Sequence, residues 1–248
     1  MAPMIEVIDL HKSFGSNHVL RGVNLRVEAG TTTVILGGSG SGKSVLMKHM
    51  IGLLHPDSGE VRVDGEDITR LTGRDLDRVR RKCGMVFQMA ALFDSMTVFE
   101  NVAFPLREHR RDLREEEVRR IVREKLRLVD LHGVEDKYPA ELSGGMRKRV
   151  GLARAVVLEP KIVLYDEPTT GLDPITTNSV DEMILDAKRA LGVTSVVISH
   201  DIGSAFKVAD ELAVLYEGRI VAAGPPEAVR QSDHPHVREF LRMWFGRH

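Results

Sequence analysis

The chain has 248 residues, 42% of them hydrophobic, with 35 Lys and Arg against 36 Asp and Glu. That length builds a sizeable core in one large α/β unit or two small ones. The formal charge of −1 argues against a nucleic-acid binder with a basic footprint and against an acidic disordered tail.

The start, "MAPMIEVIDLHKSF", has no basic region followed by an apolar one, so no signal peptide is expected there. Leu25 and Val27 alternate with polar neighbours and Thr32 to Leu36 follow a turn. Both runs read as strands, the second the more buried. Glycines and serines then lead to Leu46, Met50 and Leu53 at helical spacing. Val61 and Val63 alternate before Asp64-Gly65, a hairpin dipeptide, and "CGMVFQ" reads as another strand. Its Cys83 is the only cysteine. It cannot close an internal disulfide, which points to a reducing compartment, and it is read as a small buried residue rather than a reactive one.

Residues 89–157 change texture. Val118, Ile121, Val122, Leu126 and Val129 fall at helical intervals among arginines and glutamates, as expected of an inserted helical subdomain. "IVLYDEP" and "TSVVISH" are near-continuous apolar runs, the form of strands buried on both faces. "DELAVLYEGRIVAAG" reads as two strands joined around Glu217-Gly218. The alternation of strands and helices predicts a mostly parallel α/β sheet. The core is expected in 1–88 and 158–224, with a C-terminal helical tail at 225–248. In that tail Val237, Phe240, Leu241, Trp244 and Phe245 share one helical face. It either docks on its own subunit or meets a second subunit or regulatory chain. No stretch nears the ~18 uninterrupted apolar residues of a membrane helix, so any membrane crossing falls to another chain.

Three stretches carry chemistry. Gly37, Gly38, Ser39, Gly40, Ser41, Gly42, Lys43 and Ser44 match the phosphate-loop pattern between a strand and a helix. Glycines let the backbone wrap phosphate oxygens without side-chain clash, and successive N–H groups form an anion nest at the helix start. Lys43 then reaches the β and γ phosphates, and the Ser44 hydroxyl ligates Mg²⁺. The competing reading is a flexible turn. At the end of "IVLYDEP", Asp166 is placed to hold a water of the Mg²⁺ shell and Glu167 to orient or deprotonate an attacking water; alone, the pair also reads as solvated acids at a strand exit. Ser143, Gly144 and Gly145 precede an Arg- and Ala-rich helix, which makes either a second anion nest or a plain Ser N-cap.

Together these stretches resemble the ATP-binding subunits of ABC transporters. The phosphate loop, "LSGGM" at Leu142 to Met146, "VLYDEP", "GLD" at Gly171 to Asp173 and "ISHD" with His200 stand in that family's order and at similar spacing, over nearly the whole chain. The resemblance implies an α/β P-loop NTPase core with an antiparallel β subdomain and an inserted helical subdomain, with ATP and Mg²⁺ as ligands. It implies that Gln88 contacts the metal and the attacking water and links the site to a membrane partner, that His200 contacts the γ-phosphate, that Asp173 lies at a dimer interface and that Phe14 stacks on adenine. It also implies a head-to-tail homodimer, with ATP between Lys43 of one copy and Ser143 of the other. Two positions depart from the family: Met146 stands where most members have Gln, and Phe14 where many have Tyr. A core Phe beside Leu10 is the alternative for Phe14.

"MAALFDSMTVFENVAFPLREH", Met89 to His109, with "DEPTTGLDPIT", is similar to the ATPases of MCE-type lipid transport systems, and Met146 also resembles that branch. This implies a transmembrane permease, a periplasmic MCE lipid-binding protein, a small STAS-type regulatory subunit and a place on the cytoplasmic face of the inner membrane. In the plainer reading, Phe93, Phe99 and Phe104 only pack the helical subdomain. The competing functions are import of another solute such as an amino acid and, from another class, an ATPase acting on DNA. The latter is disfavoured: the interval of about 100 residues between phosphate loop and signature shows no sustained heptads, and no nucleic-acid partner is expected.

Overall fold

The computed structural model describes residues 3–245, with side chains to residue 242. The chain falls into two units: one takes in the chain up to Arg80 and again from Thr194, the other runs Arg81–Val193.

The first unit opens with β1 (Ile5–Phe14) and β2 (Asn17–Val27). Ile5, Val7 and Leu10 are buried, yet simple alternation does not predict β1. A register shift falls between Val7 and Leu10, and Asp9 adopts φ 44°. This bulge breaks the period of two. Its partner across the sheet is Gly59, where a Cβ would stand 2.3 Å from the Asp9 carbonyl oxygen, so only glycine fits. β3 (Thr32–Leu36) is buried throughout and delivers the chain to Gly37. α1 (Lys43–Met50) buries Leu46, Met47 and Met50. Leu53, expected on the same face, lies beyond the helix and is 51% exposed. The chain turns away at Gly52 (φ 62°), packed so closely that a Cβ would press on Leu76. β4 (Ser58–Val63) and β5 (Glu66–Asp67) form the expected hairpin, with Asp64 and Gly65 both at positive φ. They complete an antiparallel sheet of order β2-β1-β4-β5. The short α2 (Gly73–Arg80) buries Leu76 and Val79.

In the second unit β6 (Cys83–Val86) pairs in parallel with β7 (Ile162–Asp166). The helices are α3 (Val98–His109), α4 (Glu115–Leu128), α5 (Gly144–Val156) and α6 (Pro174–Leu191). α4 turns Val118, Val122 and Leu126 inward, as its spacing predicts. α3 starts with a capping box between Thr97 and Glu100. Buried Asn101 accepts from the Phe93 N–H and donates to the carbonyls of Phe93, Met96 and Thr97, so the loop before α3 is stitched by one fully satisfied amide. Phe93 and Phe104 meet with their rings tilted by 54° (centroids 5.1 Å) but are 42% and 37% exposed. Burial pushes the Cys83 thiol up to about 12, which leaves it protonated and unreactive.

The first unit resumes with β8 (Thr194–Ser199), α7 (Ile202–Val208), β9 (Glu211–Tyr216), β10 (Arg219–Gly224), α8 (Pro226–Arg230) and α9 (Pro235–Phe245). β3 lies between β8 and β9, parallel to both. β9 and β10 form an antiparallel hairpin through Glu217 and Gly218, both at positive φ. On α9, Val237 and Leu241 are buried and His236 stacks on Tyr216 of β9 at 3.6 Å, so this part of the apolar face docks on its own chain. The side chains of Trp244 and Phe245 lie outside the described residues. Among the described residues no helix is long and apolar enough to cross a membrane.

Candidate functional site

The phosphate loop leaves β3 at a point where backbone meets backbone. A Cβ on Gly37 would stand 2.5 Å from the Leu215 carbonyl oxygen and 2.7 Å from the Ser41 hydroxyl. Gly40 and Gly42 adopt φ 76° and 102°, values that side chains resist. Lys43 is only 6% exposed. Its ammonium donates back to the carbonyls of Gly37 (2.7 Å) and Gly38 (3.0 Å), which puts the positive charge in the hollow of the loop. The Ser41 hydroxyl is buried without a hydrogen-bond partner. The cap of α1 is Gly42, with no side chain accepting from the first turn. A positive charge, an orphan hydroxyl and uncapped helix N–H groups fit a chain of phosphates. Elsewhere in this unit, His200 is exposed directly after β8, and Asp201 caps α7 by accepting from the Ser204 N–H. Phe14 is 49% exposed with the Lys12 ammonium 5.6 Å from its ring centre. It is therefore not a core residue beside the fully buried Leu10.

α1 also carries a titratable group that sequence reading passes over. His49 is buried. Its Nδ1 faces the Val45 carbonyl at 2.7 Å, while Nε2 has no partner. Burial, with the Lys12 charge adding to it against the pull of Asp57 and nearby carbonyls, holds its pKa below the ordinary 6.5. The unfolded chain thus takes up this proton at higher pH than the folded one. The stability due to neutral His49 is complete above 6.5 and declines as pH falls through that value toward the folded pKa. The urea midpoint should drop between pH 7.5 and about 5.5, and the drop should be smaller in His49→Gln; equal slopes would show that His49 is not the group responsible.

In the second unit β7 ends on half-buried Asp166. Glu167 follows at φ 49°, a left-handed conformation that costs about 1–3 kcal/mol for a residue with a side chain. The Thr170 hydroxyl donates to its carboxylate (3.1 Å), and the buried Lys148 ammonium donates to the next carbonyl, that of Pro168. Burial lowers the Lys148 pKa. Gln88 is exposed in the turn after β6.

The Ser143 hydroxyl caps α5 by accepting from the Met146 N–H (3.2 Å). Asp173 caps α6, accepting from the N–H groups of Ile175 and Thr176 (3.0 Å each) and from the Thr176 hydroxyl. These bonds, the hydroxyl's first, hold its carboxyl below the usual range. Both caps belong to one cavity: Ser143, Gly144 and Gly145 line a space of about 550 Å³ together with Gly171 and Asp173. The signature loop lies beside α6: a Cβ on Gly145 would make an ordinary contact with the Thr176 methyl at 3.5 Å. Among the described residues no group of three or more His, Cys, Asp or Glu can hold a metal alone. Sequence reading missed the supports Lys148 and Thr170.

A phosphate loop after a buried parallel strand, an Asp-Glu pair at the end of another and a serine-capped signature helix define an ATP-binding cassette. The ABC transporter family profile matches residues 20–170: the chain belongs to the ABC transporter family and is an ATP-hydrolysing subunit of it. It is 46% identical over 241 residues to a Mycobacterium leprae protein named "Probable ribonucleotide transport ATP-binding protein mkl", covering 97% of this chain and 69% of that one. It is 42% identical to the Haemophilus influenzae and 40% to the Escherichia coli K12 "Intermembrane phospholipid transport system ATP-binding protein MlaF", covering 96% and 97% of this chain and 90% and 89% of theirs. Among solved structures, a Clostridium perfringens protein described as part of the ABC transporter complex cbiONQ superposes with TM-score 0.86 at 31% identity, covering 100% of this chain and 97% of that one. A dimeric ATP-binding cassette in a post-hydrolysis state with ADP and Pi superposes with TM-score 0.80 at 32% identity, covering 90% and 98%.

Proposed function

We propose that this subunit powers phospholipid transport between membranes, as the ATPase of an MCE-type system on the cytoplasmic face of the inner membrane. The observation that carries the cargo is the 40–42% identity to ATP-binding proteins of intermembrane phospholipid transport, extending over 89–90% of their length. The mkl relatives are named for a different cargo and extend beyond the match, which spans 67–69% of them. A second copy is the partner proposed for the cavity at Ser143 and Asp173: Ile175 beside it is 84% exposed, an apolar residue that a neighbouring subunit would cover. A transmembrane permease is the partner proposed for the exposed apolar side chains around Gln88, namely Phe87, Met89, Phe93 and Phe104. An MCE lipid-binding protein and a STAS-type subunit complete the proposed assembly.

In this reading the phosphate loop from Gly37 to Ser44 holds the triphosphate, Phe14 stacks on adenine, and Ser143, Gly144, Gly145 and Asp173 of the second copy close over it. Ser44, Asp166 and Gln88 would hold Mg²⁺; their oxygens suit a hard cation that takes its remaining ligands from phosphate and water. Such an ion would supply neutralisation of charge on the phosphate oxygens. Glu167 accepts a proton from the attacking water as its oxygen bonds to the γ-phosphorus. The bond from that phosphorus to the β-γ bridging oxygen breaks, giving ADP and Pi, and His200 donates to the γ-phosphate oxygens. Glu167 and Gln88 act on the same water, one as base and one by orientation.

The cargo is tested by purifying the chain with its native membrane partners and reconstituting the assembly in vesicles. ATP-dependent transfer of a labelled phospholipid, with a permease and an MCE-domain protein in the preparation, supports the reading. Transfer of a ribonucleotide or an amino acid instead, with a solute-binding protein present, overturns it.

A further inference from the structure

Ala90 and Ala91 follow the Gln88 turn with φ of 61° and 46°. Two successive residues with side chains in the left-handed region do not stay there unaided. α5 supplies the support. Arg154 donates through one terminal nitrogen to the Ala90 carbonyl (2.7 Å) and through the other to the Ala91 carbonyl (2.7 Å). Its guanidinium lies 6.0 Å from the Phe93 ring centre, at the far end of the same loop. One turn earlier on the same helix face, Gly151 lets the backbone close in: a Cβ there would meet the Ala90 Cβ at 3.3 Å, and Ala90 is only 1% exposed. A planar fork of donors matches two neighbouring carbonyls in a way that a lysine ammonium does not.

The other end of α5 is Ser143. From Ser143 to Arg154 the helix rises about 16 Å, so one rigid rod has the signature cap at one end and the clamp on the Gln88 turn at the other. We propose that Arg154 is a positioning residue for ATP hydrolysis: it holds the Ala90-Ala91 kink, thereby aims Gln88, and ties Gln88 to the helix that carries the signature serine. This rests on the roles of Gln88 and Ser143 proposed above.

The test is a double-mutant cycle on steady-state ATP hydrolysis by the reconstituted transporter, with wild type, Arg154→Met, Gln88→Ala and the double variant. The expected result is a fall in kcat of about 10- to 100-fold in Arg154→Met, the size of a misaimed catalytic group. KM for ATP should change less than about twofold, because binding is untouched. In the Gln88→Ala background the Arg154→Met change should have little further effect, since it acts through Gln88. A wild-type kcat in Arg154→Met overturns the proposal, and so does an equal loss in both backgrounds, which would mark a general structural role. A Gln88→Ala protein with normal kcat instead removes the role assigned to Gln88 and the proposal with it, a result distinguishable from the other two. Should Arg154→Met not fold, Arg154→Lys carries the same cycle, and there too a wild-type kcat or an equal loss in both backgrounds overturns it.

Discussion

Glu167→Gln should cut ATP turnover by roughly 10²- to 10⁴-fold, the usual loss when a general base is removed, while ATP stays bound. The substitution is nearly isosteric, and the amide oxygen of Gln still accepts from the Thr170 hydroxyl that meets the carboxylate at 3.1 Å. The left-handed backbone at this position (φ 49°) is equally strained for Glu and Gln, so the fold is not expected to change. What is lost is the proton acceptor. If two copies close on ATP and reopen after hydrolysis, the variant should accumulate as an ATP-dependent dimer in size-exclusion chromatography, because a ligand shifts a two-state balance by its differential affinity for the states. Turnover at the wild-type rate would remove Glu167 from its assigned role. Slow turnover without a dimer would leave the base in place and remove the clamp.

Lys43→Ala should abolish ATP binding at ordinary nucleotide concentrations. The ammonium is buried in the loop and already aimed at its hollow by the Gly37 and Gly38 carbonyls. Charge-assisted hydrogen bonds contribute about 1.5–3 kcal/mol each. Loss of two such bonds to phosphate oxygens, about 3–6 kcal/mol, weakens binding by about 10²- to 10⁴-fold at 1.4 kcal/mol per decade. The side chain also donates hydrogen bonds to two carbonyls inside the loop, so a smaller loss of thermal stability should accompany the change. Titration of a fluorescent ATP analogue reads the first effect and a melting curve the second. Unaltered nucleotide affinity would mean that the triphosphate binds elsewhere.

Much of the architecture was legible because its causes are local. The hairpins at Asp64-Gly65 and Glu217-Gly218 each turn on two residues at positive φ, the second of them a glycine that adopts it without strain. β3, β7 and β8 show as apolar runs because strands buried on both faces admit little else. α4 shows because its inward face repeats every three to four residues. Where a signal was absent, a longer-range contact had intervened. β1 is hidden by the bulge at Asp9, whose counterpart Gly59 lies fifty residues later in the chain. Leu53 keeps the helical spacing but not the helix, because close packing of Gly52 on Leu76 turns the chain first. Phe14 looks like a core residue by type and is exposed by position.

The amino-acid order alone determined the chemistry that can be done: glycines, a lysine and a serine between strand and helix, acids at the end of a buried strand, a serine before two glycines. These are properties of short segments, governed by backbone freedom and by the charge of neighbouring groups. Only the folded chain decided which distant residues steady them. It set the caps of Ser143 and Asp173 into one cavity, left the neutral imidazole of His49 without a second partner, and brought Arg154 onto carbonyls 63 and 64 positions away. Such contacts depend on how helices and loops pack in three dimensions, and no spacing along the chain encodes them.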